Sequence, residues 1–414
     1  MREEIITHLD NPSHLEKLYR SNKAPFKKEF ISLYPTVKGN TLADFWHERL
    51  THDSDEINWG SGTELRLVLL MALVAGIIAK FPAIFSINEE FFYPRNIGFI
   101  LFPLLTAYFA WKNRLSTGKI MLMTALTLAG VVFINSLPNV QTSDTLILSC
   151  LHMLLFLWSI LGFAFVGGPQ NDVERRIGYL KFNGDLVVMT TLIVIAGGIM
   201  TGITLGLFGL IGFDIAEFYF QNVVVFGLPA VPILGTYLIQ TNPQLVGKVS
   251  PVIARMFSPL VLVMLVIYLV AIMYSGKDPY NDREFLIMFN ALLIGVMAII
   301  FFSIAEGAKS TKSQIEIWVL ALLSLVTILV NGIALSAILF RIAEWGITPN
   351  RAAVLGSNVL ILINLLLVTA QLVRALSKRG DISGVGKTIA TYLPIYCLWA
   401  IIVTFLFPIL FGFK

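Results

Sequence analysis

Long apolar runs separated by short polar stretches occupy most of the chain, from Leu65 to Phe413. A helix needs about 20 apolar residues to cross a hydrocarbon core of about 30 Å, and most of these runs have that length. The runs lack the period-two alternation that is typical of strands in a membrane β-barrel. Because backbone groups in lipid must be hydrogen-bonded within their own segment, each run is predicted to be a transmembrane helix.

The predicted fold is therefore all-α, a polytopic transmembrane helix bundle of about eleven spans. The predicted spans are 65–87, 96–111, 120–137, 144–167, 186–211, 221–240, 256–275, 285–305, 315–340, 352–375 and 388–412. Proline residues within or beside several spans predict kinks, whose freed carbonyl groups neighbouring helices must satisfy.

The first 63 residues are polar and differ from the rest of the chain. Their apolar residues recur with helical spacing, which predicts two or three short amphipathic helices, with a stop at Tyr34-Pro35. We therefore predict two domains, a cytoplasmic helical segment at 1–63 and a transmembrane domain at 64–414. A segment of this size buries little surface alone, so it either packs on a partner or forms a solvated cap.

Composition agrees with lipid as the main surroundings of the chain. Hydrophobic residues make up 56% of the 414 and charged residues 14%, whereas about a quarter of a soluble domain is charged. The net charge of +4, without a basic block that alternates with aromatic residues, gives no support for a nucleic-acid partner. Cys150 and Cys397 both lie in apolar runs, which favours buried thiols, and no metal site or cofactor is predicted.

Orientation is predicted from Lys and Arg in the short loops, since positive charge marks the cytoplasmic side. The richer set of loops carries Lys112, Arg114, Lys119, Arg175, Arg176, Lys181, Lys248, Arg255, Lys309, Lys312, Arg374, Lys378, Arg379 and Lys387. The poorer set carries Arg95, Lys277, Arg283, Arg341, Arg351 and Lys414. With the N-terminal segment on the richer side, the N-terminus is predicted to be cytoplasmic and the C-terminus outside a bacterial inner membrane.

The loop from Arg341 to Arg351 is the most distinctive candidate site. Two guanidinium groups can bind a phosphate or carboxylate, so Arg341 and Arg351, with Glu344 and Thr348, are candidates for binding an anionic lipid or solute. The alternative is structural: Arg341 pairs with Glu344, and Arg351 lies at the start of a helix. That alternative is slightly favoured, because exposed ion pairs are common and weak.

The same loop resembles a signature of an uncharacterised family of bacterial polytopic membrane proteins, known only as a domain of unknown function. The signature is R-x-x-x-x-G-[IL]-T-x-x-R, and it matches Arg341, Gly346, Ile347, Thr348 and Arg351. The resemblance is clear over about the last third of the chain. It implies a multi-pass bacterial membrane protein and implies no activity.

Ionisable residues within spans are the other candidates, because such groups are costly in hydrocarbon. Lys80 lies in the first span, and Asp214 and Glu217 lie at the outer end of the fifth. They could form a relay or a substrate site, although Lys80 could instead extend its ammonium to the membrane surface. Glu306, at the end of the eighth span, is either functional or a solvated cap.

Two further groups of residues favour helix packing. Amides within the late spans either line a polar pathway or join helix to helix, and the second use is the commoner one. Glycines spaced four apart in the fifth span, Gly198, Gly202 and Gly206, place that helix at the centre of the bundle or of a dimer. His152 has no second His or carboxylate at ligand spacing, so a metal site is not predicted there.

Three classes of function remain open, and we rank them narrowly. The first is a transporter or flippase of a small anionic solute or lipid, for which broken helices near the Pro-bearing spans would supply the site. The second is a membrane subunit or signalling scaffold that docks a cytoplasmic protein through residues 1–63. The third is an intramembrane lipid-modifying enzyme, which ranks last because no known catalytic motif is present.

Overall fold

A computed structural model of the protein describes residues 2–21, 23–52, 60–140, 142–167, 172–210, 213–247, 249–275, 280, 283–307, 314–377 and 382–413. Lys248, Lys277, Lys309, Lys312, Lys378, Arg379 and Lys414, which entered the orientation prediction, lie outside these residues. All regular secondary structure in the described residues is helical. The chain divides into two compact units, Met1–Trp59 and Gly60–Lys414.

The N-terminal unit has four helices where two or three were predicted. They are α1 (Arg2–Thr7), α2 (Pro12–Ser21), α3 (Lys23–Val37) and α4 (Thr41–His52). The expected stop at Tyr34-Pro35 is wrong, since α3 continues through Pro35 into its last turn, where a missing N–H costs little. The unit also has its own core around Trp46, which is 2% exposed and packs against Phe26 and Phe30.

The second unit begins with the helices that form what we call the first bundle. They are α5 (Gly62–Ala79), α6 (Phe81–Phe85), α7 (Glu89–Lys112), α8 (Thr117–Ser136), α9 (Asp144–Val166), α10 (Val173–Leu210), α11 (Ala216–Tyr219), α12 (Val225–Thr241) and α13 (Gln244–Gly247). A π-helical segment, Phe220–Val224, joins α11 to α12. One core cluster, with Tyr108, Phe156 and Tyr237 among its members, connects the long helices of this bundle.

The remaining helices form the second bundle. They are α14 (Val249–Ser275), α15 (Arg283–Gly307), α16 (Gln314–Trp345), α17 (Pro349–Leu376), α18 (Ser383–Ile401) and α19 (Phe407–Leu410). A π-helical segment, Ile402–Leu406, joins α18 to α19. A separate core cluster around Phe289, Leu323 and Leu365 holds α14 to α18 together. The transmembrane region therefore has two cores.

The number of spans agrees with the prediction of about eleven. Among the described residues, nine helical stretches are long and apolar enough to cross a membrane. Two further helices, α7 with 24 residues and α14 with 27, complete the up-and-down order. Many large apolar side chains face outward, such as Met121 at 66% and Val132 at 68% exposure, as expected for a surface in contact with lipid.

Polar residues at the ends of the apolar runs begin several of these helices. Ser61, Asn88, Ser143 and Thr348 accept hydrogen bonds from backbone N–H groups in the first turns of α5, α7, α9 and α17. These side chains satisfy donors that a helix start leaves free. We call the end of the unit at which α5 begins the proximal end, and the end that bears the α16–α17 turn the distal end.

The fifth span differs from its prediction in two respects. The predicted loop after the fourth span is mostly helix, because α10 begins at Val173 and runs for 38 residues. Residues 168–171 of that loop lie outside the described residues. A Cβ added to Gly197, Gly198, Gly202 or Gly206 would meet nothing within 4 Å. The glycine spacing therefore does not pack this helix into the bundle, and its use in a dimer stays a prediction.

Candidate functional site

The two bundles meet along a seam, at which α10 packs against α15 and α18, and α9 packs against α17 and the second π-helical segment. At the proximal end the backbones approach closely. A Cβ added to Gly184 would lie 2.0 Å from Cδ2 of Phe302 on α15, and one added to Gly386 would lie 3.0 Å from Cδ1 of Ile177. Small residues therefore bring α10 into direct contact with the second bundle.

Three charged side chains, Lys181, Asp185 and Glu306, lie at this contact, and we call them the seam cluster. Lys181 and Asp185 are one turn apart on α10, with 3.2 Å between Nζ and Oδ2. The same ammonium donates a hydrogen bond to Oε1 of Glu306, which lies in the last turn of α15. The cluster thus joins the first bundle to the second at the proximal end.

Burial makes the charge of the seam cluster costly. The side chains of Asp185 and Glu306 are 7% and 5% exposed, and that of Lys181 is 29% exposed. Asp185 Oδ1 is buried without a hydrogen-bond partner in the described structure. Two carboxylates therefore share one ammonium in surroundings of low dielectric constant, where like charges cannot both ionise cheaply. Chemically, this arrangement can bind a cation or a proton.

Two other ion pairs at the proximal end lie within a single bundle. In the first bundle, Glu64 Oε1 accepts hydrogen bonds from Tyr108 Oη at 2.7 Å and Lys112 Nζ at 3.0 Å. In the second bundle, Arg255 Nε lies 3.0 Å from Glu316 Oε1. These pairs stabilise contacts within their own bundle, whereas the seam cluster spans the boundary between the two.

Sequence reasoning found only part of the seam cluster. Glu306 was a candidate with a solvated cap as its alternative, and the structure places it in a buried ion pair. Lys181 was assigned to a loop, and Asp185 was not singled out, because the fifth span was predicted to start at 186. A Lys and an Asp four residues apart are the signal that a longer helix would have made visible.

Lys80 lies where the first span breaks. Helix α5 ends at Ala79, Pro82 is at the start of α6, and the Lys80 ammonium donates to Oδ1 of Asn222 in the first π-helical segment. The described contacts of Lys80 thus include an amide, rather than the expected carboxylate.

Asp214 and Glu217 make local hydrogen bonds at the distal end. Asp214 Oδ1 accepts from the Ala216 N–H at 3.1 Å, and Glu217 Oε1 accepts from Gln221 Nε2 at 3.3 Å. The proposed relay between Lys80 and these carboxylates therefore stays a prediction without a described contact.

The distal loop is a compact turn between α16 and α17. Arg351 Nη1 donates to the carbonyl oxygens of Trp345 and Gly346 at 2.9 and 2.6 Å, and Arg341 Nε donates to Tyr280 O at 2.8 Å. Thr348 Oγ1 accepts the Arg351 N–H at 3.3 Å. These contacts are those of a helix end and a helix start, in line with the structural alternative, while the exposed Glu344 leaves an anion site a prediction.

The candidates predicted together lie in different bundles. Lys80, Asp214 and Glu217 belong to the first bundle, and their described polar contacts stay within it. Arg341, Glu344, Thr348 and Arg351 belong to the turn at the end of α16 in the second bundle. The described hydrogen bonds do not join the two groups into one site.

Arg95 is a buried cation that the sequence assigned only to a loop. It lies in α7, is 3% exposed, and its Nη2 donates to the carbonyl oxygens of Leu137 and Pro138 at 3.3 Å each. Its guanidinium carbon lies 4.2 Å from the centre of the Phe91 ring. These partners are neutral, so they leave the positive charge of Arg95 uncompensated at the distal end.

The amides of the late spans hold helices together in the second bundle. Asn331 Nδ2 donates to Asn358 O at 3.2 Å, and Asn364 Nδ2 donates to Tyr396 Oη at 3.0 Å. These bonds join α16 to α17 and α17 to α18, which is the packing role that the sequence favoured. Within the described residues, no group of three or more His, Cys, Asp or Glu could hold a metal ion.

Comparison with models of known protein families, with curated proteins and with solved structures gives no match for this chain.

Proposed function

We propose that the protein is a membrane carrier, a transporter or flippase of a small anionic solute or lipid, and that it works by movement of the two bundles about their seam. The observation that carries the proposal is the seam cluster, a buried charged contact between two separately packed bundles. A carrier needs two units that rock against each other around a site, and a contact that closes one end.

Irregular helices at the distal end support the proposal. The π-helical segment Phe220–Val224 and the break at Lys80 lie together in the first bundle, and Ile402–Leu406 packs on α9 at the seam. Such irregularities recur at functional sites, and broken helices line the binding sites of many carriers. The distal end therefore has the irregular backbone that a substrate route requires.

Arg95 supports an anionic substrate. A guanidinium that is 3% exposed and is bonded to neutral carbonyl groups favours the approach of a negative charge. Phosphate and carboxylate groups both match its planar donors, and both occur on free solutes and on lipid headgroups. The proposed substrate class follows from this shared chemistry.

We also propose a bacterial inner-membrane location, with the proximal end cytoplasmic, on the strength of the Lys and Arg distribution. Membership of the uncharacterised family that the Arg341–Arg351 loop resembles is part of the same proposal.

Distances between spin labels test the rocking movement without knowledge of the substrate. A proximal pair, Ser116→Cys with Gln314→Cys, and a distal pair, Val140→Cys with Ile347→Cys, each join the two bundles at exposed positions. The background carries Cys150→Ala and Cys397→Ala, and the labelled protein is held in nanodiscs. We expect Lys181→Ala to lengthen the proximal distance and shorten the distal one.

The matched control is Arg175→Ala, which removes an ion pair with Asp172 at a more exposed position. Single distances at both ends, equal in the parent, the Lys181→Ala variant and the control, would overturn the carrier proposal and favour the scaffold alternative.

Proteoliposomes distinguish the two sources of the anion. Translocation of fluorescent phosphatidylglycerol reports a lipid substrate, and uptake of inorganic phosphate reports a solute. We expect one of these probes to move, and Arg95→Gln to slow it at least about tenfold, as expected for loss of a charged hydrogen bond to the substrate.

A further inference from the structure

We infer that the seam cluster binds one exchangeable proton on its paired carboxyl groups, and that this proton is the coupling ion of the carrier. The inference rests on the proposed function for its consequence, the opening of the proximal end. The site itself rests on the geometry of Lys181, Asp185 and Glu306.

The charge of the cluster argues for the proton. With both carboxyl groups ionised and Lys181 protonated, the buried cluster carries a net charge of minus one, whereas one added proton makes it neutral. A buried net charge is costly, and two close carboxyl groups titrate as a pair that retains one proton to higher pH. Asp185 Oδ1, buried and without a hydrogen-bond partner in the described structure, is a free acceptor for that proton.

The neighbouring helices were searched for a second cation. On α10 itself, Arg176 donates to Ala390 O and Tyr179 donates to Trp158 O. On α18, Lys387 is exposed, and on α14, Arg255 pairs with Glu316.

The other contacting helices add no further cation among their described side chains near the cluster. Helix α12 contributes the buried Tyr237, and α13 has no charged residue. The ionisable groups of α9 are Asp144, Cys150 and His152, in its distal half. In the described part of the chain, Lys181 is thus the cation that pairs with Asp185 and Glu306.

Protonation also weakens the link between the bundles. A proton from water at the proximal end forms an O–H bond on a carboxyl oxygen, and Lys181 keeps its own three protons. If Glu306 holds the proton, its attraction to the Lys181 ammonium falls from that of an ion pair to that of a neutral hydrogen bond. Since this bond joins α10 to α15, its weakening favours separation of the bundles at the proximal end. Lys181, at 29% exposure, provides the contact with water.

Infrared difference spectroscopy tests the proton site directly. The whole protein in nanodiscs is compared at about pH 8 and about pH 5, a range that an unperturbed carboxyl group does not titrate across. We expect a protonated-carboxyl band that is lost or shifted in both Asp185→Asn and Glu306→Gln. The control is Glu316→Gln, which removes a carboxylate that pairs with Arg255 within the second bundle and should leave the band unchanged.

The spin-label pairs supply the second readout at the same pH values. We expect the longer proximal distance to be several-fold more populated at the lower pH, and Glu306→Gln, which mimics the protonated form, to populate it at both. Two separate conservative variants keep the test valid if one of them fails to fold.

The outcomes separate the two proposals. If the bundles move but neither the band nor the distances depend on Asp185 or Glu306, the proton inference fails while the carrier stands. If the band belongs to the cluster but both distances stay fixed, the proton site stands while the carrier and the coupling role fail.

Discussion

Gly184 and Gly198 lie on the same helix and meet opposite surroundings. A Cβ at Gly184 would overlap the Phe302 ring, with Cδ2 at 2.0 Å, whereas a Cβ at Gly198 would meet nothing within 4 Å. Both positions are inside α10, so a change from Gly to Val has about the same intrinsic effect on the helix at each. The difference between the two variants therefore measures the closeness of the seam.

We predict that Gly184→Val destabilises the protein by about 1–3 kcal/mol relative to Gly198→Val, through overpacking against Phe302. Thermal unfolding of the purified variants in one detergent measures this difference. Equal midpoints would show that α10 does not contact α15 as described.

Glu16 makes the acid stability of the N-terminal unit testable at a single residue. Its hydrogen bond with Arg20, and then its bond with Arg49, lowers the pKa of the Glu16 carboxyl. A lowered pKa in the folded state means that the stabilisation is present above the unfolded pKa and is lost as the pH falls through the folded pKa. The ion pairs of Glu16 thus fail only in acid.

We predict that Glu16→Gln removes part of the acid sensitivity of residues 2–52. Hydrogen exchange of peptides from this unit, in the whole protein at about pH 7 and about pH 4, compares the variant with the parent. The variant should be less protected than the parent at the higher pH, and the two should converge at the lower pH. A constant difference at both pH values would contradict the assigned ion pairs.

At the scale of elements, the α16–α17 turn depends on Gly346. This residue has φ of +76°, a left-handed conformation that other residues adopt at a cost, and its carbonyl accepts a hydrogen bond from Arg351. Gly332, in the interior of α16, has helical surroundings and nothing within 4 Å of an added Cβ. The same substitution should therefore have opposite effects at the two positions.

We predict that Gly346→Ala destabilises the protein by about 1 kcal/mol and that Gly332→Ala stabilises it by about 0.5 kcal/mol. Chemical or thermal unfolding of the two variants beside the parent tests the signs. A stabilising Gly346→Ala would show that the turn does not require a left-handed residue, and the assignment of Arg351 to that turn would fail with it.

The elements followed from the sequence far better than their contacts did. Each apolar run of span length became a helix, because length and hydropathy alone decide whether a segment can cross lipid. Asp185 escaped notice because the start of α10 was placed at 186, beyond a polar stretch that is amphipathic helix. Which faces meet depends on side-chain shape, such as that of Phe302 over Gly184, and a hydropathy pattern does not contain that information.

At the scale of the whole molecule, an odd number of spans places the two termini on opposite sides of the membrane. With about eleven spans and the proposed orientation, the N-terminal unit is cytoplasmic and the C-terminus is outside. The four helices of the N-terminal unit have their own core, so this unit is a folded module available to cytoplasmic proteins.

We predict that a reporter enzyme that is active only outside the cytoplasm gives a signal when fused after residue 413 and none when fused before residue 2. A fluorescent protein that folds only in the cytoplasm should give the reverse pattern. Signals on the same side for both fusions would require an even number of spans.

Helix α10 has a mechanical consequence. It is uninterrupted over 38 residues, and about 37 Å of it lies beyond Asp185 at 1.5 Å per residue. Its distal half is largely free of neighbours, with Ile199 at 60% and Met200 at 67% exposure. A tilt of only about 5° at the seam would carry its far end through about 3 Å, if the helix behaves as a stiff rod. The gain or loss of a single proton at one face of the membrane would then be felt as a lever stroke in the lipid of the other.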